Sequence, residues 1–298
     1  MEKYKVWIML ILCNLFWAGN YVFGKYVVAE MTPLWITFSR WMFACLLLFP
    51  IAYYAEKPKW EIAIKSWPLL ASMGVLGVIG YNFTLYSALD YTSSTNAALV
   101  SSLNPGVILV FSVILFREKI STIKVLGIII SIIGVLVILT RGNLGQIFQM
   151  SYNKGDLIML VAIVVWAIYS ILAKRLKDIP PITATAISAL FATFMMAPFA
   201  IYQGIDMAEI SPVAMMGILY MAIFPSVGSF IFWNMSVREI GASQAGIFLN
   251  LIPVFTAIIS WILGEKITVA QVSGGLIVFI GVYLTTGMLE QRLEKNKI

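Results

Sequence analysis

Histidine does not occur in this sequence of 298 residues, cysteine occurs twice, and charged residues make up only 11% of it. Without histidine the chain has neither the commonest metal ligand nor the commonest general base at neutral pH. Cys13 and Cys45 both stand inside apolar runs, which is typical of packing residues and not of a disulfide or a metal site. We therefore expect no metal and no other cofactor.

Apolar residues take the place of the missing charge. They make up 61% of the sequence, against about 45–50% in ordinary globular domains. The mean hydropathy is +0.93. A soluble core cannot bury such a share, so the composition predicts an all-α integral membrane protein surrounded by the lipid bilayer. The N-terminal apolar run is long enough to span and lacks a small-residue cleavage pattern, so we interpret it as the first membrane helix.

A membrane-spanning helix needs about 20 mostly apolar residues. Ten stretches meet this condition, and the loops between them are mostly short, the longest near 55–67 and 141–155. The stretches are residues 6–28, 34–54, 68–89, 94–116, 122–140, 156–174, 182–203, 212–236, 242–263 and 269–288. The predicted fold is thus a bundle of ten transmembrane helices without a soluble domain.

The net charge of +6 follows the expected topology and does not predict a nucleic-acid partner. With the N-terminus in the cytoplasm, 15 of the 20 Lys and Arg fall on the inner side and four on the outer side, while Arg40 lies within a helix. Cytoplasmic loops of membrane proteins carry such an excess. We expect a multi-pass protein of the cell membrane with both termini in the cytoplasm.

The two halves of the sequence repeat each other. Trp17 corresponds to Trp166 at an offset of 149 residues, and Pro105 corresponds to Pro253 at an offset of 148. Each repeat holds five helices, which divides the chain into residues 1–141 and 142–298. Because five is odd, the second unit enters the membrane from the opposite side. The halves are therefore expected to be inverted repeats, as in many secondary transporters.

The repeated motifs resemble tandem EamA domains of the drug/metabolite transporter superfamily, over essentially the whole chain. The resemblance is carried by Trp17–Lys25 (WAGNYVFGK), Pro33–Arg40 (PLWITFSR), Tyr86–Pro105, Glu118–Ile120, Trp166–Arg175 (WAIYSILAKR), Ile240–Pro253 and Glu265–Ile267. It implies a ten-helix carrier that exports amino acids or related metabolites across the cytoplasmic membrane. The second half departs from the first in having Ser188 where Arg40 stands.

Polar residues inside a membrane are costly and usually face a bundle interior or a cavity. Those that we expect to bind substrate are Asn20, Tyr21, Asn82, Tyr86, Asn104, Tyr169, Asn234 and Asn250, with the aromatic Trp17, Trp166 and Trp233 beside them. Amides supply donors and acceptors, and aromatic rings supply apolar area, which suits a small amphipathic solute. Hydrogen bonding between helices is the alternative for each amide, and membrane-interface anchoring is the alternative for tryptophan.

Arg40 has two interpretations. Its guanidinium offers a bidentate fork to a substrate carboxylate. Alternatively, its side chain snorkels to the outer surface or pairs with a helix end.

Two lysines and two prolines are candidate gating residues. Lys25 and Lys174 flank the expected outer and inner entrances, unless they are ordinary charges at helix ends. Pro105 and Pro253 interrupt their helices, and broken helices often form transport sites or hinges. Packing alone also tolerates proline in membrane helices.

All 14 acidic residues fall in predicted loops, tails or helix ends. Proton-driven carriers commonly use buried carboxylates as relays. We therefore expect facilitated diffusion down the solute gradient, or coupling through something other than a central carboxylate, with Glu118 and Glu265 at helix ends as the exceptions.

The sequence favours a secondary transporter that exports amino acids or related compounds by alternating access. The alternatives are an exporter of drugs or nucleosides and a non-transporting membrane scaffold. An intramembrane enzyme would need a nucleophile with a base, paired aspartates or a metal cluster, and the predicted spans contain none of these. The substrate, the direction of transport and the oligomeric state stay open.

Overall fold

The structure, a computed structural model, describes residues 3–92, 97, 100–116, 121–148, 153–173, 175–176, 178–206, 208–264, 266 and 268–286. Over these ranges the chain is helical and contains no strand. The helices are α1 (Lys3–Val27), α2 (Pro33–Glu56), α3 (Trp60–Lys65), α4 (Trp67–Tyr91), α5 (Asn104–Phe116), α6 (Thr122–Leu139), α7 (Lys154–Ala173), α8 (Pro181–Gln203), α9 (Pro212–Ile240), α10 (Ala242–Ile262) and α11 (Val269–Thr285).

Eight of these helices are long and apolar enough to cross a membrane, within the part of the chain that the structure describes. Helices α5 and α11 are apolar but shorter. The predicted span 94–116 is described as a helix only from Asn104 onward, apart from scattered helical positions before it, because residues 93–96 and 98–99 lie outside the described ranges. The region predicted as a loop at 55–67 instead contains the short helix α3.

Helix starts follow simple capping chemistry. Pro33 and Pro212 occupy the first positions of α2 and α9, where the missing N–H costs nothing. Thr32 and Ser211 precede them, and their side chains accept hydrogen bonds from the first-turn backbone. These caps satisfy first-turn N–H groups that have no partner within the helix, and so they fix where α2 and α9 begin.

Both α4 and α9 widen into a π-helix near their centres. The π segments are Gly74–Gly80 and Ala222–Ser229, at matching positions of the two halves. Such segments displace side chains around the helix and often occur at functional sites. The Cβ of a residue at Gly77 would lie 2.3 Å from the ring of Tyr169, so only glycine permits α7 to pack there.

Helices α6 and α11 approach each other closely at glycine residues. A Cβ added at Gly134 would lie 2.7 Å from the carbonyl oxygen of Gly274, and one added at Gly281 would lie 2.6 Å from that of Gly127. Small residues let helix backbones meet where lipid supplies no hydrophobic driving force.

The interior lies where the remaining long helices meet. Helix α2 packs along α8, α4 along α7, and α1 along α9. Each of these contacts joins the first half of the chain to the second. Large apolar side chains such as Leu46 and Phe199 point away from this interior and are two-thirds exposed, as expected for a lipid-facing surface.

Candidate functional site

Arg40 lies about two turns from the start of α2, and its side chain is fully buried. Its Nε donates a hydrogen bond to Ser226 Oγ at 2.8 Å. One terminal nitrogen donates to the amide oxygens of Asn20 at 3.0 Å and Asn82 at 3.1 Å, and also to the hydroxyl of Tyr86. We call these five residues the arginine cluster. It draws together α1, α2, α4 and α9.

The positive charge of Arg40 has only neutral oxygens as hydrogen-bond partners in the described part of the chain. The rings of Trp41 and Tyr86 lie 5.7 Å and 5.8 Å from the guanidinium carbon, close enough for cation–π attraction. Amide dipoles and aromatic faces thus stabilise the charge without neutralising it. Since its side chain is 1% exposed, Arg40 does not snorkel to the surface.

An aromatic cluster surrounds Phe230 next to the arginine cluster. The Trp17 and Trp166 rings meet edge to face, with centroids 5.1 Å apart. Trp233 lies 5.5 Å from Trp17 and 5.4 Å from Trp166. Trp41 stands edge-on to Phe230 at 4.7 Å. The predicted grouping of Trp17, Trp166 and Trp233 is therefore present in the structure.

Three indole N–H groups in this cluster have no acceptor among the described residues. They belong to Trp41, Trp166 and Trp233, all of which are buried. A buried donor without a partner costs about 1–3 kcal/mol, so such groups call for a water or ligand acceptor. All three are donors, which favours an acceptor-rich occupant.

A second polar group lies on α7, α8 and α9. Asn234 donates to the Tyr169 hydroxyl at 2.8 Å and to Thr185 Oγ1 at 2.9 Å. Tyr169 stacks on Trp166 with ring centroids 5.0 Å apart, so the aromatic cluster connects this group to Arg40. Beside Tyr169 and Asn234 is a small cavity with about 10 Å³ of space for water centres, room for about one molecule.

The two polar groups occupy matching sequence positions. Tyr169 follows Asn20 by 149 residues, and Asn234 follows Tyr86 by 148. Each half therefore contains one Asn–Tyr hydrogen bond between its first and third long helices, with the residue types exchanged. Ser188, which matches Arg40, lines the small cavity of the second half.

Three predicted site residues lie outside these networks. The Tyr21 hydroxyl is 2.6 Å from Ser101 Oγ. Asn250 donates to Ser131 on α6 at 3.0 Å, the hydrogen bond between helices that the sequence left as the alternative. The amide oxygen of Asn104 is buried and has no partner among the described residues.

The predicted gating residues have mixed surroundings. Lys25 donates to the carbonyl oxygens of Leu89 at 2.6 Å and Thr92 at 3.3 Å, which caps the C-terminal end of α4. Lys174, Glu118 and Glu265 lie outside the described residues. Pro105 is the second residue of α5, and Pro253 follows a 3₁₀ turn in α10, so both prolines mark irregular starts.

Sequence reasoning missed four residues of the site. Ser226 and Thr185 are single hydroxyls in apolar helices, and such hydroxyls usually bond to their own backbone. The adjacency of Trp41 to Arg40 and the proline that precedes Ser226 are signals that could have pointed to them. Tyr81, whose ring lies 4.7 Å from Trp166, follows the π segment of α4.

Comparison with known proteins gives matches along the whole chain. The model of the EamA-like transporter family matches residues 5–140 and again 153–287. The protein named "Uncharacterized transporter YyaM" of Bacillus subtilis (strain 168) is 31% identical over 293 residues, with 97% of this chain and 96% of that protein covered. An "Uncharacterized transporter" of Archaeoglobus fulgidus is 29% identical over 293 residues, with 96% and 99% covered.

A solved crystal structure of a protein has a similar fold, with a TM-score of 0.77 at 19% sequence identity. The similarity covers 97% of this chain and 99% of that chain. Both family matches fall on the two halves that the sequence repeats.

Proposed function

Because the chain belongs to the EamA-like transporter family, we propose that it exports small metabolites, in first place amino acids or related compounds, across the cell membrane. The family assignment confirms the resemblance to tandem EamA domains and makes the chain a multi-pass transporter-family protein. The substrate class, the direction and the cell membrane as its location belong to the proposal.

The proposed architecture is ten membrane crossings in two inverted five-helix repeats, residues 1–141 and 142–298, with both termini in the cytoplasm. The short helices α5 and α11 then complete the ten. The charge bias of 15 to four supports this orientation. Inverted halves exchange conformations, so that one central site opens in turn to either side.

The observation that carries the proposal is the charge of Arg40, which no described residue neutralises, beside three indole donors that have no acceptor in the described part of the chain. A substrate carboxylate would replace the neutral oxygens around the guanidinium and form a bidentate pair. An apolar side chain would lie against the aromatic cluster, whose rings supply large contact area. An amino acid with an apolar side chain meets both requirements.

During transport, the solute would pass from the Asn–Tyr pair of the first half to that of the second, and the two pairs would exchange roles. When solute binds Arg40, the oxygens of Asn20 and Asn82 lose a cationic donor and become free to accept from the solute ammonium group. The matching pair, Tyr169 and Asn234, would receive the solute as the halves change conformation. No described acid lies near mid-helix, so we propose facilitated diffusion without a carboxylate relay.

Solute flux from proteoliposomes tests this function. Labelled amino acids and nucleosides are loaded together in one panel, and their efflux is followed with and without an imposed pH gradient. We expect saturable amino-acid efflux whose rate does not depend on the pH gradient. Efflux of nucleosides alone would favour the drug or nucleoside alternative. Folded protein without flux for any solute would favour a scaffold.

A further inference from the structure

An open cleft of about 520 Å³ lies at one end of the bundle, between the two halves of the chain. Thr84, Ser87 and Asp90 of α4 line it from the first half, together with the start of α2. Lys154 at the start of α7 and Gln203 at the end of α8 line it from the second half. Its volume falls within the range of about 300–1,000 Å³ that is common for small-molecule sites.

The cleft presents both signs of charge. Asp90 stands in the last turn of α4, and Lys154 is the first residue of α7. The ammonium of Lys154 lies 4.8 Å from the centroid of the Tyr91 ring. Within the described ranges neither charged side chain has a hydrogen-bond partner from the protein. The charge of Lys25 also acts on Asp90, but no described hydrogen bond occupies Asp90 or Lys154, so both groups can bind a solute that carries both charges.

At the matching place at the opposite end of the bundle, the charged side chains bind the protein itself. Arg238 follows Asp90 by 148 residues, and its guanidinium donates to the carbonyl oxygen of Ile179. Glu56, at the end of α2, accepts a 2.7 Å hydrogen bond from the backbone N–H of Thr183 and so joins α2 to α8 there. Arg238 and Glu56 thus bind other groups of the protein, whereas Asp90 and Lys154 face the open cleft.

We propose that this cleft is a second binding site, a vestibule for zwitterionic solutes at the outer mouth of the carrier. Asp90 binds the ammonium group of the solute, and Lys154 binds its carboxylate. This inference rests on the proposed amino-acid function and names the residues that recognise the solute on one side only. Because both charges are exposed, each contributes modestly, and a threefold effect on affinity is expected for each.

Substrate protection of an introduced cysteine tests the vestibule. Both native cysteines, Cys13 and Cys45, are buried, so Ser87→Cys adds the single accessible thiol. Intact cells that express this variant are treated with a membrane-impermeant maleimide, and leucine is added at increasing concentration. We expect labelling from outside and saturable protection by leucine. Thr84→Cys, on the same wall, serves as a second reporter if Ser87→Cys does not fold.

Charge variants then separate the two roles. In the Ser87→Cys background, Asp90→Asn should raise the leucine concentration needed for protection about threefold. The isocaproate concentration needed for protection should not change, because isocaproate has no ammonium group for Asp90 to bind. Lys154→Gln should likewise raise the leucine concentration needed for protection. The isoamylamine concentration needed for protection should not change, because isoamylamine has no carboxylate for Lys154 to bind. Glu209→Gln and Lys266→Gln, which alter charges of other loops outside the cleft wall, are matched controls and should change nothing.

Each contrary result has a distinct meaning. An active leucine carrier in which neither thiol is labelled from outside, or in which leucine gives no protection, overturns the vestibule but leaves the transport function standing. Protection that neither charge variant weakens overturns the roles of Asp90 and Lys154. Absence of amino-acid flux in the wild-type protein overturns the substrate class and this inference with it.

Discussion

Trp17 and Trp166 occupy matching positions of the two repeats, 149 residues apart, and their rings touch edge to face at 5.1 Å. Under the proposed inverted arrangement, the pseudo-two-fold axis passes between these two rings. All residues of the arginine cluster except Ser226 then lie in the first half, and the Tyr169–Asn234 pair lies in the second.

Replacing Arg40 by lysine should reduce efflux of carboxylate-bearing solutes at least tenfold. Lysine keeps the positive charge but lacks the planar fork that pairs with a carboxylate. It also loses the hydrogen bond that Nε makes to Ser226. The measurement is initial efflux from proteoliposomes. Arg175→Lys, at an exposed arginine, is the control and should retain full activity. Undiminished efflux in Arg40→Lys would remove Arg40 from the binding site.

Tyr86→Phe and Tyr169→Phe should each lower efflux about threefold to tenfold while the protein still folds. Each change removes one hydroxyl from a buried Asn–Tyr pair, and such bonds contribute about 0.6 kcal/mol in membrane proteins, so the effect on stability is small. Size-exclusion profiles check the fold and proteoliposome flux checks the function. If only Tyr86→Phe had an effect, the second pair would have no part in transport.

Gly134→Ala should destabilise the protein by about 1–3 kcal/mol, because the new methyl would lie 2.7 Å from the backbone of Gly274 and would force α6 and α11 apart. Thermal unfolding in detergent measures the effect. Gly106→Ala is the control, since a methyl there meets nothing within 4 Å. An unchanged unfolding temperature in Gly134→Ala would show that α6 and α11 are not in close contact.

Glu56→Gln should weaken the junction between α2 and α8 and lower the free energy of unfolding by about 1–2 kcal/mol. The carboxylate accepts from the N–H groups of Ile182 and Thr183 and from the Thr183 hydroxyl, and a charged acceptor at a helix N-terminus is favoured by the helix dipole. The side-chain amide of glutamine has only one acceptor oxygen, and its NH2 group would face these three donors. Unfolding temperature reports the loss, with Glu61→Gln on exposed α3 as the comparison. Equal temperatures for both variants would contradict the role of Glu56.

The membrane fold and its duplication could be predicted from composition and spacing alone, because lipid forces backbone groups into helices of known length. Arg40 and its partners Asn20, Asn82 and Tyr86 were identifiable as polar groups that an apolar helix would exclude without a reason. Their meeting point was not predictable, since a sequence does not state which faces of α1, α2 and α4 converge.

Three features escaped the sequence for local reasons. The helix α3 has only six residues, too few for a periodic pattern to show. The π segments change the direction of side chains without changing the composition of their helices. Ser226 reaches Arg40 only because its π segment turns it inward from the other half of the chain.

The glycine contact between α6 and α11 has a mechanical consequence. Gly127 and Gly274 are repeat mates, as are Gly134 and Gly281, yet each lies against the mate of the other. Under the proposed inverted arrangement, an exchange of conformation between the halves maps the Gly127–Gly281 contact onto the Gly134–Gly274 contact, so the spacing of α6 and α11 is kept. In the proposed alternating-access cycle, α6 and α11 would therefore stay fixed relative to each other, and the movement would fall to other helices of the bundle.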